Sequence, residues 1–298
     1  MWFVYAVVTL LFWALADLFY KKGAKESDKY SHLKTGIMVG LVMGIHATVY
    51  IILNGINFNF IDLVKYLPVS FFYIFSMIIG YKGLRYLELS ISSPIQNCSG
   101  VITSLLLFII FKESLATLDF LGIFIIAIGI IILSIIENNN KEIKRTKIKN
   151  KISVIALIFP LIYCVLDGMG TFLDAIYLDK LELINENVAL VAYEYTFLIY
   201  GIIVYLYLRF IKNEKIVLKQ EKDKIGASIF ETIGQFFYVF AVSSNSTLSI
   251  PIISVYSILS ILFAHIFLKE KLSKKEYITI FIILIGIVVL GISEGINS

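Results

Sequence analysis

The chain has 298 residues, 59% of them apolar and 16% charged, with a formal net charge of +4 and a mean hydropathy of +0.87. An ordinary soluble domain is about 45–50% apolar and about 25% charged, so there are too few charges here to cover a globule, and most of the surface must face lipid. That excludes a soluble enzyme and a disordered chain, and with only two cysteines it excludes a disulfide-stapled secreted domain.

A bilayer core about 30 Å thick takes roughly 20 apolar residues per helix. In chain order, such runs lie near 2–20, 34–54, 66–86, 90–111, 119–136, 152–175, 188–208, 225–243, 247–268 and 276–293. Strands of a membrane barrel would instead be about 10 residues of alternating polarity, and the stretch Ile123 to Ile136 is too long and too uniformly apolar for that. The expected fold class is all-α, a polytopic membrane protein of ten transmembrane helices. The first run has no basic residue before it and no small-residue cleavage site after it, so it reads as a retained helix, not a removable signal.

The loops carry an asymmetric charge. Lysines and arginines concentrate in 21–34, at Lys82 and Arg85, and in 141–151, 209–224 and 269–275; only Lys65, Lys112 and Lys180 fall elsewhere. With ten spans, these basic loops share one face, which the positive-inside rule assigns to the cytoplasm, leaving both termini outside. Binding of anionic lipid head groups is an alternative use of the same charge, but orientation alone accounts for it.

The chain also repeats at an offset of 157 residues. Ser92–Ser93–Pro94–Ile95 leads through a helix to Phe111–Lys112–Glu113–Ser114–Leu115, and Ser249–Ile250–Pro251–Ile252 leads to Leu268–Lys269–Glu270–Lys271–Leu272. The apolar helix that follows carries Gly129 or Gly286 at matching positions, and the same register pairs Asp17 with Asp174 and Tyr20 with Tyr177. The expected organisation is a first five-helix repeat over 1–140, a basic cytoplasmic linker over 141–151 and a second repeat over 152–298. Five spans per half is an odd number, so the second half inserts upside down, an arrangement associated with carriers that rock one half against the other.

A five-helix unit used twice, with Lys-Glu after its fourth helix and a glycine-bearing fifth, resembles the drug/metabolite transporter superfamily of ten-helix EamA type. The resemblance covers essentially the whole chain. It implies a central cavity lined by the first four helices of each half, with the fifth helices peripheral. It also implies cytoplasmic termini; the charge distribution gives the reverse and is followed here.

Charge at mid-bilayer costs about 2.5–3.5 kcal/mol even on lenient scales, so it usually faces a cavity. At about 1.5 Å per residue, Asp167 lies roughly 24 Å from the cytoplasmic face, with Glu231, Gln235, Glu194 and His46 also deep. Tyr163, Asp167, Thr171 and Asp174 share one helical face, as do Glu231, Gln235 and Tyr238, and Trp13 with Asp17. Acidic groups interleaved with aromatics suit a cation, through counter-charge and cation–π attraction of about 0.5–2 kcal/mol.

The expected substrate-binding set is therefore Asp167, Glu194, Glu231, Gln235, His46, Tyr163, Tyr238, Trp13 and Thr171, with Asp167, Glu231 and Glu194 as candidate proton-coupling groups. Asp17, one turn before Lys21, reads first as an interfacial ion pair; Asp174 and Asp179 read as solvated near the outer end; His46 reads equally as a packing residue. Pro94 and Pro251 follow polar stretches and read as helix breaks in corresponding segments, or equally as helix starts near the surface.

Cys98 and Cys164 have no metal-ligand spacing and read as small apolar residues. No Walker loop, dinucleotide fingerprint or zinc spacing occurs. The expectation is a non-enzymatic secondary transporter of a bacterial plasma membrane, acting as monomer or homodimer, without cofactor, metal or nucleic acid. Its cargo would be a small organic cation or amine-bearing metabolite, with exchange against protons as a coupling mode that buried carboxyls allow. Export of amino acids or other neutral or zwitterionic metabolites is the alternative, with a channel or an intramembrane enzyme behind it.

Overall fold

The computed structural model describes residues 1–25, 27–112, 116–145, 156, 158–271 and 273–297. Glu113 of the first Lys-Glu pair, most of the basic linker and the expected start of the second half at 152 lie outside the described residues.

Among the described residues the chain forms ten α-helices and no strand. They are α1 (Trp2–Gly23), α2 (Ser31–Asn54), α3 (Phe60–Gly83), α4 (Leu89–Phe111), α5 (Thr117–Arg145), α6 (Ile158–Ala175), α7 (Glu186–Leu206), α8 (Lys222–Ile253), α9 (Tyr256–Phe267) and α10 (Lys274–Asn297). Seven of the described helices are long and apolar enough to cross a membrane: α1, α2, α3, α4, α6, α7 and α8. Only about half of each such stretch or less is buried, α8 somewhat more, which leaves the remaining apolar face for lipid.

Local sequence sets the helix ends. Asn59 and Asp62 form a reciprocal capping box at the start of α3, and the Asn185 side chain accepts from the Asn187 amide at the start of α7. Gly55 ends α2 with φ +62°, a left-handed conformation that glycine takes at no steric cost.

Several expectations need correction. The expected spans 225–243 and 247–268 are divided differently: α8 runs on to Ile253 across a kink at Asn245, and α9 is a separate short helix. Asn245 has extended backbone (φ −168°, ψ 91°), and Asp179 holds the turn by accepting from the Ser246 amide (2.9 Å) and hydroxyl (2.5 Å). Pro251 therefore sits in the last turn of α8, and the chain breaks just after it at Ser254–Val255. Pro94 does not break α4, which is helical throughout; near a helix start its missing N–H withdraws a single bond, and the turn survives. The helix α5 continues past its apolar span to Arg145, into the expected linker.

Packing follows a pairwise plan. α1 lies against α8, α3 against α6, α2 against α7 and α5 against α10, with α4 on α6 and α9 on α1. Glycine permits the closest crossings: a Cβ on Gly40 of α2 would stand 2.3 Å from the Phe197 carbonyl oxygen of α7. On α5 and α10, a Cβ on Gly129 would meet Ile283 and one on Gly286 would meet Ile126.

Among the described residues, the basic loops at 21–34, Lys82–Arg85 and 209–224 touch one another at one end of the bundle. Lys34 donates to Asp28 (3.0 Å) and Glu214 (2.7 Å), Lys25 to the Gln220 carbonyl, and Arg85 to the Lys25 and Lys29 carbonyls. Glu270 accepts from the Leu89 and Ser90 amides and the Ser90 hydroxyl, closing the first turn of α4 from a distant loop. In the Asp28 loop, partial burial works against the charged carboxylate, but hydrogen bonds from Lys34 and the Tyr30 amide, with the Lys34 charge, hold it below its ordinary pKa.

Candidate substrate cavity

The expected stripes meet in one place. α1, α3, α4, α6, α8 and α9 surround a central cavity of about 60 Å³; α7 adds Tyr193, and no described residue of α2, α5 or α10 lines it. Of the residues singled out from the sequence, Trp13, Tyr163, Asp167, Thr171, Glu231, Gln235 and Tyr238 line it. They come from three helices with independent registers, each turning its polar stripe inward because the opposite faces meet lipid or neighbouring helices.

Asp17 lines it too, and its sequence reading is corrected. It is not paired with Lys21: its Oδ2 accepts from the hydroxyls of Ser93 on α4 (2.7 Å) and Ser260 on α9 (2.8 Å). Lys21 donates instead to the carbonyls of Leu84 (2.8 Å) and Leu87 (2.5 Å), which end the α3 segment. Asp167 accepts from Ser99 on α4 (2.7 Å), with Tyr163 and Ser76 also at hand. Glu231 lies against Tyr20, whose hydroxyl accepts from Tyr81 at 3.1 Å. Three carboxylates thus face one small space, each steadied by hydroxyls, and no lysine, arginine or histidine among the described residues lines it.

Aromatic rings make up much of the remaining wall. The Trp13 ring lies 5.0 Å from Tyr238 and 5.7 Å from Tyr256, while Tyr73 and Tyr238 share a 2.8 Å hydrogen bond. Two donors facing the cavity have no acceptor, the Trp13 indole N–H and the amide nitrogen of Gln235, itself 2% exposed. Gly234 makes room for the indole: a Cβ there would meet Trp13 at 2.3 Å.

Asp174 is not solvated, as expected from its place in the sequence, but fully buried just behind this wall. It accepts from Tyr66 and, at 3.4 Å, from Tyr73, which also donates to Thr171 (3.0 Å). Asp179 is likewise engaged, on Ser246 and, at 2.8 Å, on Lys180.

Glu194 and His46 do not join the cavity. Glu194 has no exposed surface, and both its oxygens lie 2.8 Å from the His46 Nδ1, in the seam between α7 and α2. The cavity is reached on α7 by Tyr193; Glu194, the next residue, is turned about 100° around the helix and meets α2 instead. Ser93 and Ser99 belong to the polar stretch around Pro94 and Tyr20 to the repeat register, but none was assigned to the site; Ser260, Tyr73 and Tyr81 were not singled out, since an isolated hydroxyl in an apolar run carries no pattern until its acceptor is placed.

The residues of this chain match the model of the EamA-like transporter family in two stretches, 1–135 and 155–292. The chain belongs to that family. EamA-like proteins are multi-pass membrane transporters, in keeping with the apolar helices and the central polar cavity. No curated protein matches the sequence. A solved structure, titled only as a crystal structure of protein, shares the fold with a TM-score of 0.67 at 12% identity, covering 99% of this chain and 98% of its own.

Proposed function

We propose that this EamA-like protein is a secondary transporter of a small organic cation, bound in the central cavity between Asp17, Asp167 and Glu231 and carried by alternating access in exchange for protons. The observation that carries the reading is the composition of the cavity: three carboxyl groups facing one small space, without a basic side chain among its described lining residues. A bound ammonium supplies the missing positive charge, and the rings of Trp13, Tyr163 and Tyr238 offer it π-faces.

Alternating access rests on two inverted halves, 1–140 and 152–298, and the packing supports them. Exchanging each helix with its counterpart at the 157-residue offset turns the α1–α8 contact into α6–α3 and leaves the α2–α7 and α5–α10 pairs unchanged. The contact of Gly129 with Ile283 becomes that of Gly286 with Ile126. Beyond the paired prolines, Asn97 and Ser99 occupy the cavity wall at the places Ser254 and Tyr256 take in the other half.

A second reading, a zwitterionic cargo, is favoured by the unpaired Trp13 and Gln235 donors, which would suit a carboxylate held beside the amine. Proteoliposome uptake of labelled ethylamine, alanine and propionate separates the readings. Saturable ethylamine uptake with counterflow supports the cationic carrier, and preference for alanine supports the zwitterionic one. Propionate uptake alone, non-saturating flux or conversion of the probe would overturn both. Asp167→Asn and Glu231→Gln are each expected to lower ethylamine uptake at least tenfold, about 1.4 kcal/mol of lost interaction.

A further inference from the structure

The Glu194–His46 pair needs an explanation that the cavity does not provide. Glu194 is fully buried on α7, two turns in from the helix start at Glu186, and His46 lies two turns before the end of α2 at Asn54. Both therefore sit about 12 Å inside the end of the bundle opposite the basic loops. Glu194 is fully enclosed, whereas the His46 side chain is one-third exposed. Packing alone would have been served by an apolar pair; a buried carboxylate is retained at a cost of several kcal/mol unless something compensates its charge.

Few charges surround the pair. Among the described residues, His46 is the ionisable group that bonds Glu194, and the neighbouring Tyr50 phenol also senses the Glu194 charge. On α2 the next ring is Tyr50, stacked on His46 at 5.7 Å and donating to Asn187 at 2.6 Å; Glu186 lies beyond it on α7. α8 presents Phe236, edge-on to the imidazole, and α1 and α3 bring no charged group to the pair. With neutral imidazole and ionised carboxylate the pair carries one negative charge. One proton taken from the adjoining bath brings it to zero, and releasing that proton restores the charge.

The pair also spans a glycine-lined seam. α2 and α7 meet through glycine: Gly36 lies under Tyr200, Gly40 under the Phe197 carbonyl and Gly44 under Leu198. Such a crossing brings backbones close at Gly40 and seats the Tyr200 and Leu198 side chains on glycine, and it is the place where the two proposed halves meet counterpart to counterpart. Separating the helices here would expose Glu194, which is unfavourable when it is charged and tolerable when the pair is neutral.

From this geometry we infer that Glu194 and His46 bind the coupling proton, at a site physically separate from the cargo cavity. The inference rests on the proposed proton-for-cation exchange and assigns its two partners to different places: cargo to Asp17, Asp167 and Glu231, the proton to the α2–α7 seam. Protonation of the pair permits the seam to open, and deprotonation on the other side closes it.

The test uses the full-length protein in proteoliposomes with labelled ethylamine. Glu194→Gln is expected to abolish accumulation driven by a pH gradient while keeping gradient-free counterflow within twofold of wild type. Asp167→Asn should lose both. Accumulation by Glu194→Gln equal to wild type would overturn the assignment and return the proton to the cavity. Where Glu194→Gln loses counterflow as well, His46→Asn decides: retained counterflow with the pH profile of accumulation displaced by a unit or more supports the site, and an unchanged profile refutes it. An arm independent of cargo is infrared titration of the purified protein. A protonated-carboxyl band present in wild type and missing from Glu194→Gln is expected; identical bands in both would sink the proposal, even if ethylamine is not the cargo.

Discussion

At the scale of single residues, depth in the membrane proved to be the informative quantity, and sequence distance to the nearest charge a poor substitute for it. Asp167, Glu231 and Gln235 could be picked out because an apolar run of known length fixes how far each lies from water. Asp17 could not, because Lys21 one turn away offered an ordinary ion pair. Only the folded chain reveals that Lys21 turns to the Leu84 and Leu87 carbonyls and leaves Asp17 to two serines from other helices. Asp17→Asn is accordingly expected to lower ethylamine uptake at least tenfold, whereas Lys21→Gln, which alters a loop contact, should leave cargo binding within twofold; binding to the purified variants checks both. Gly40 gives a stability prediction at the same scale. With the Phe197 carbonyl 2.3 Å from an added Cβ, Gly40→Ala must push α2 from α7 and should cost about 1–3 kcal/mol, read as a lowered thermal midpoint.

At the scale of elements, most helices were legible because apolar length alone dictates them, and the ends beside Asn185 and Gly55 came within two residues, whereas α3 starts at Phe60 behind the Asn59 cap, ahead of the expected 66. The segment from α8 to α9 was not. Sequence placed its interruption near 244–246 and a break at Pro251; the chain instead kinks at Asn245 while continuing to bond helically, and stops at Ser254. The reason is tertiary: Asp179, remote in sequence, supplies the acceptor that the bent backbone at Ser246 requires. Asp179→Ala should cost on the order of 1 kcal/mol, as loss of a helix cap does. Faster amide exchange confined to residues 244–249 is the expected signature. Glu270 serves α4 in the same way from the far loop, a role that no local pattern around Leu89 announces.

At the scale of the whole molecule, the described basic loops at 21–34, Lys82–Arg85 and 209–224 gather at one end, the arrangement expected if the spans alternate in direction. Single cysteines at Lys212 and Lys269, in a background lacking Cys98 and Cys164, should react from the same side of the membrane, and one at Asn59 from the other; reaction of all three from one side would contradict the arrangement. The ionic contacts at this end predict a modest pH response. Asp28 has its pKa depressed by folding, so its contribution is present above the unfolded carboxylate range, near about 3.9, and disappears as pH falls through the lower folded value. Since the group is only partly buried, the effect should stay below about 1 kcal/mol. The difference in thermal midpoint between wild type and Asp28→Asn should accordingly shrink between pH 6 and pH 3, by order of magnitude no more than a few degrees. Finally, the sequence holds just two tryptophans, one at the buried start of α1 and one in the cavity wall between Tyr238 and Tyr256. Replacing Trp2 by Phe leaves Trp13 as the sole indole emitter, so fluorescence quenching would report occupancy of the chamber directly, with no label on the passenger.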